Sequence, residues 1–149
     1  QDIDGGTTTG QGASLTIPLG DMSLVVSSSQ MDVGGTEDSS AGGALTMTAG
    51  GGTLSLGVET TSGDTAANEG EAYSVSYSTT LGGAAVAVGY SGYDANNNTS
   101  SRTDVTMSQS IGGGASIFAE FQNLTGAGVA AEGNSTSESV VAVGTSVSF

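Results

Sequence analysis

The stretch AYSVSYSTTLGGAAVAVGYSGYD, residues 72–94, decides how the chain is read. Tyr73, Val75 and Tyr77 alternate with Ser on one side of Leu81-Gly82-Gly83, and Ala84, Val86, Val88 and Tyr90 alternate with Ala and Gly on the other. A repeat of two residues is that of a β-strand, whose side chains point to opposite faces in turn. The Gly pair supplies the positive φ that a tight reversal needs at no steric cost. The segment is therefore an antiparallel hairpin with one apolar face and one face of small and polar residues.

The same rule extends in both directions. Upstream, Ala13, Leu15, Ile17 and Leu19 share a face, as do Met22, Leu24 and Val26, then Leu45 and Met47, then Leu54, Leu56 and Val58. Downstream come Val105, Met107 and Ile111, then Ile117, Ala119 and Phe121, and last Val141, Val143, Thr145, Val147 and Phe149. Nine strands result, and Val, Thr and Tyr suit them. Tight turns centre near Gly20, Gly51, Gly82 and Gly113, each 31 residues after the last. The connections between these hairpins, residues 29–43, 60–71, 92–102 and 123–138, are rich in Ser, Thr, Asn, Gly and acids and read as long loops at one end. Residues 1–11 read as a loop-like N-terminal segment within a single domain of 1–149. A 31-residue period also fits a solenoid, but a tight Gly turn reverses the chain, which favours an up-and-down antiparallel meander.

Composition removes most chemistry. One Arg against 15 Asp plus Glu, with no Lys and no His, gives a formal charge of −14, so nothing can neutralise nucleic-acid phosphates. Without Cys or His there are no disulfides, no thiolate nucleophile and no Cys- or His-based metal site. An enzyme is not expected. Only 7 residues are aromatic and 26 are Gly, a poor recipe for a dense core. No run of 18 apolar residues exists for a membrane helix, and QDIDGGTTTG has no signal-peptide character.

An apolar strand face must be covered, by a second sheet in water or by lipid around a barrel. Regular connectivity, short turns opposite polar loops, uncharged apolar faces and strands of about 8 to 11 residues favour lipid. The absence of Trp and the placement of Gln109 on the apolar face favour protein. The rival is a secreted or surface fibre subunit, pilus-like, assembling β-sandwiches by strand addition.

The closing VAVGTSVSF, residues 141–149, resembles the C-terminal strand of bacterial outer-membrane porins, and residues 72–94 and 105–123 look like consecutive porin hairpins, especially of alphaproteobacterial general porins. The resemblance implies an all-β antiparallel transmembrane β-barrel in the outer membrane, of which nine strands would be part of about sixteen. It implies passive diffusion of small hydrophilic solutes, contact with outer-membrane lipid and lipopolysaccharide, a homotrimer, and recognition of Phe149, Val147, Val143 and Val141 by the outer-membrane assembly machinery. Two departures stand out: Thr145 interrupts the apolar face of the last strand, and Arg102 alone cannot form the arginine cluster of many porin constrictions.

Alternation places Glu59, Asp104 and Glu120 on the face opposite the apolar one, as pore-lining candidates. Arg102 lies beside Asp104, either as a local ion pair or as a selectivity residue. Asp32, Glu37, Asp38, Asp64, Glu69, Glu71 and Asp94 fall in the long connections and would form an acidic vestibule that favours cations, a set of oxygen ligands for Ca²⁺, or a solvated surface. Asn97, Asn98, Asn123 and Asn134 begin N-x-Ser/Thr triplets, which so much Ser and Thr produces by composition. Tyr73, Tyr90 and Tyr93 sit where an aromatic girdle would run.

Overall fold

The structure, a computed structural model, describes residues 8–64, 69–95, 98–126 and 137–148. Nine strands follow one another: β1 Thr8–Leu19, β2 Met22–Val33, β3 Thr36–Ala49, β4 Gly52–Gly63, β5 Gly70–Leu81, β6 Ala84–Ala95, β7 Asn98–Gly112, β8 Ala115–Gly126 and β9 Ser137–Val147. They form one antiparallel sheet in sequence order. Each strand pairs with its chain neighbours, and β1 and β9 pair on one side only among the described residues.

Cross-strand partners share a face, as do residues two apart. Following the pairing from Leu24 through Leu45, Leu56 and Val75 to Tyr90 therefore traces one apolar face. Ser23, Thr46, Ser55, Ser76 and Gly89 trace the other. No second layer covers either face among the described residues. Ala84 is the one buried apolar residue among those described, and Val141 and Val143 are 71% and 78% exposed. A sealed sandwich interior holding Val86, Val105 and Val143 is absent from this sheet.

The strands are staggered by a constant step. The row that starts on Met22, at the turn end of β2, meets Met47 and Leu54 two residues in from their turn, then Tyr77 and Val88 four in. It reaches Phe121 six in from Ala115, and Val141 six from Val147. Two residues per hairpin is one per strand. With a rise of ~3.3 Å and a spacing of ~4.8 Å, a level apolar band then crosses strands tilted by about 35°, the geometry of a sheet curling into a barrel.

Three expectations need correction. The segment 29–43 is not a loop: β2 runs to Val33, β3 starts at Thr36, and only Gly34 and Gly35 turn between them. Both have positive φ, 64° and 87°, as a two-residue hairpin turn requires. Asp32 accepts a hydrogen bond from the Gly35 N–H at 2.9 Å and fixes that turn. Likewise most of 60–63, 92–95, 98–102 and 123–126 is strand, so the strands have 11 to 15 residues. Apolar alternation stops where both faces become polar, whereas backbone pairing continues. Residues 8–11, expected as loop, are paired with 30–33; residues 1–7 lie outside the described residues.

Several glycines leave room for a neighbouring ring. Gly92 on β6 pairs with Tyr73 on β5, and a Cβ on Gly92 would collide with that ring. A Gly92→Val protein should therefore unfold about 1–3 kcal/mol more easily, the usual cost of overpacking, as read by denaturant titration in detergent micelles. Much of the loss should return when Tyr73 is also changed to Ala. Equal losses in both backgrounds would show that the ring is not what Gly92 accommodates.

Candidate functional site

The small-residue face carries the charged groups of interest. Glu59 on β4 pairs with Gly42 and Ala72, Asp104 on β7 with Gly89 and Gln122, and Glu120 on β8 with Thr106 and Ala142. All three share the face that alternation gives them. Arg102, two residues before Asp104, stands on the same face between Ser91 and Leu124. Its Nε donates to Asp104 Oδ1 at 2.7 Å, and Gln122 Nε2 donates to the same oxygen at 3.2 Å. Asp104 is thus compensated within the sheet, while Glu59 and Glu120 have no ion-pair partner among the described residues. Gln122 is the member of this cluster that sequence reading did not single out. The signal available was its place two residues after Glu120, but its contact needs the register between β7 and β8.

The acidic residues of the connections divide between the two faces. Asp32 faces Glu37 directly across β2 and β3, and Glu71 faces Asp94 across β5 and β6. These four continue the rows of the apolar face beyond its last apolar residues. Asp64 joins them at the end of β4: its Oδ2 accepts from the Glu37 N–H at 3.0 Å, and its own N–H donates to the Glu37 carbonyl. Asp38 and Glu138 lie on the small-residue face, opposite Met31 and Leu124, and Glu69 lies between β4 and β5. All stand at the end of the sheet opposite the turns at Gly20, Gly51, Gly82 and Gly113. Like charges directly opposite one another repel by a fraction of a kcal/mol, so this rim forms at a small cost. No three carboxylates converge as a cation site among the described residues.

Val141, Val143 and Val147 of the last strand point to the apolar face and are all exposed; Phe149 lies outside the described residues. Tyr73 and Tyr90 share the apolar face with ring centroids 6.0 Å apart, whereas Tyr93, paired with Ala72, is on the other. Tyr77 pins the β3–β4 turn by donating to the carbonyls of Ala49 and Gly50 at 3.1 and 3.2 Å. Gln109, opposite Ile117, interrupts the apolar band as expected. Asn98 and Asn123 are strand residues, and Asn97 and Asn134 lie outside the described residues.

A hollow of about 610 Å³ opens on the sheet, lined by residues from β2 through β8, mostly of the small-residue face. Side chains six strands apart can border one hollow only if the sheet curls around that face. The apolar face is thus convex and outward, and the small-residue face concave and inward.

No family model and no curated protein sequence matches the chain. Solved structures do. An anion-selective porin from Comamonas acidovorans superposes with a TM-score of 0.69 at 16% identity, over 78% of this chain and 38% of its own. A loop-deletion mutant of OmpT, an outer membrane protein of Vibrio cholerae, gives 0.72 at 13% identity over 96% and 54%. A BenF-like porin from Pseudomonas fluorescens gives 0.65 at 12% identity over 93% and 47%. The chain spans about two fifths to just over half the length of these proteins. What they share with it is the fold: the sheet is the antiparallel up-and-down wall of a transmembrane β-barrel, here unclosed.

Proposed function

We propose that this chain forms part of an outer-membrane channel through which small hydrophilic solutes diffuse, with a preference for cations. The observation that carries the reading is the pairing of an uncovered convex apolar band with a concave face of Ser, Thr, Gly and Ala. Such a sheet suits lipid outside and water inside. The same reading brings the chain into contact with outer-membrane lipid and lipopolysaccharide. It also includes the homotrimer and the assembly machinery that the porin resemblance implies, with Val141, Val143, Val147 and Phe149 as the segment recognised.

Cation preference rests on the balance of the inner face, where Asp38, Glu59, Asp104, Glu120 and Glu138 stand against Arg102. A narrow, low-dielectric passage lined by one sign of charge concentrates the opposite ion. One of the similar structures is an anion-selective porin, so the barrel wall itself does not dictate the sign. Reversal potential across a KCl gradient, measured on the protein purified from outer membranes and inserted in planar bilayers, tests the proposal. A potential on the potassium side is expected; one on the chloride side would refute the charge assignment, and the absence of any conductance would refute the channel.

A further inference from the structure

We propose that the inner-face hollow between Glu59 and Arg102 is a docking subsite for an elongated dipolar solute, one that carries an ammonium group and a carboxylate as a short peptide does. The inference rests on the channel reading and names the solute class that this site favours. Glu59, Tyr93 and Arg102 line the same hollow. In the pairing, Glu59 on β4, Ala72 on β5 and Tyr93 on β6 form one row, and Arg102 on β7 stands in the next row with Ser91 and Ser74. The two opposite charges therefore flank a floor of Ala72, Ser74 and Ser91, with nothing bulky between them. Tyr93 does not fill the gap, because its ring lies over Gly70, where a Cβ would meet its hydroxyl oxygen at 2.6 Å.

Both charged groups have capacity to spare. The Glu59 carboxylate makes no hydrogen bond to the other described residues, and it is exposed. Arg102 contacts Asp104 through Nε, which leaves the terminal nitrogens of the fork, the pair that grips a carboxylate in two parallel bonds. Asp104 holds the guanidinium in place and Gln122 in turn holds the Asp104 carboxylate, so both act as positioning residues. Three strand spacings separate the backbones of β4 and β7, roughly 14 Å. A three-residue peptide spans about 10 Å, which sets the length of solute the two groups reach together. A simple cation meets Glu59 and gains nothing at Arg102. An anion gains at Arg102 but is repelled at Glu59.

The test uses the protein purified from outer membranes and reconstituted in liposomes, with swelling rates recorded for triglycine and for its N-acetyl amide, which is of similar size and neutral. Each end gains about as much as an exposed ion pair, so triglycine should enter about threefold faster. Glu59→Gln and Arg102→Gln should each remove most of that advantage, read as the ratio of the two solutes' rates, and Glu59→Asp should keep part of it. Ser91→Leu, which fills the floor and leaves both charges, should slow triglycine more than the amide. Equal rates for the two solutes through a conducting pore would overturn the subsite and leave the channel standing. No swelling with either solute would remove both.

Discussion

Replacing Val88 by Arg should remove the protein from the outer membrane, whereas Ala87→Arg, one residue away, should leave it there. Val88 sits on the convex face of β6 between Tyr77 and Val105, in the middle of the apolar band. If acyl chains cover that face, a guanidinium there must leave water with no partner, at a cost of about 2–4 kcal/mol at mid-depth. Ala87 points to the concave face between Ser78 and Thr106, where an arginine stays hydrated and costs little. The measurement is the fraction of each variant in outer-membrane extracts, followed by urea unfolding in micelles. The contrast between neighbours controls for strand propensity and for position in the sheet. A fibre subunit whose apolar faces pack together in water would also dislike Val88→Arg, but it would be recovered from the medium without detergent in every variant. That outcome would discard the membrane reading altogether.

The energetic logic of the sheet explains why this contrast is expected to be sharp. Ala84 is the sole buried apolar residue among those described, so the described sheet has no protein core of its own, and backbone pairing and the medium on the convex face must stabilise it together. Backbone groups are satisfied along every strand pair, which is what a lipid-facing sheet requires because acyl chains offer no hydrogen bonds. Side-chain contacts add to the pairing: Tyr77 to the turn at Gly50 and Ser29 to Ser40 tie one hairpin to the next, while Ser39 to Ser62 and Ser101 to Thr125 join the two strands of a hairpin.

How much of this was legible in the sequence depended on which physical signal marked each part. The tight turns were legible because Gly20, Gly51, Gly82 and Gly113 take positive φ, which few other residues tolerate. The apolar halves of the strands were legible because one face meets a medium unlike the other. The far halves were not. Ser27 to Asp32 and Glu37 to Gly42 are strand, but both their faces suit water, so the hydrophobic alternation that marks a strand has nothing to contrast. Reading those stretches as loops also hid which way their carboxylates point. Asp32 and Glu37 could have been placed outward only by carrying the period-two count onward from Val26. Of the inner-face residues, Glu59, Asp104 and Glu120 were each found by alternation alone, since no bulge intervenes between them and their apolar neighbours, whereas Arg102 stood out as the one base of the sequence. Gln122 escaped because its role lies in a partner on another strand. Register is a property of the sheet, not of either segment.

Neutralising Asp104 alone should shift the reversal potential toward anions, neutralising Arg102 alone should shift it toward cations, and neutralising both should return it close to the starting value. Arg102 Nε and Asp104 Oδ1, 2.7 Å apart, form a nearly neutral unit to an ion passing at a distance larger than their separation. Asp104→Asn then unmasks a cation whose field, at roughly 5 Å in water and 0.1 M salt, changes the local concentration of each ion by about twofold, in opposite directions for cation and anion. Arg102→Gln unmasks an anion of the same size, still tied to Gln122. Glu59→Gln and Glu120→Gln should each shift the potential toward anions with no such compensation, because neither carboxylate has a cationic partner among the described residues. Reversal potentials of the two single variants and the double variant in a KCl gradient form a complete cycle. If the double variant stays as anion-shifted as Asp104→Asn, Arg102 contributes nothing to the passing ion and the pair does not act as a unit. If it returns, the selectivity of the concave face belongs to its unpaired carboxylates, and the ion pair serves to hold a guanidinium fork in place rather than to set the sign of the field.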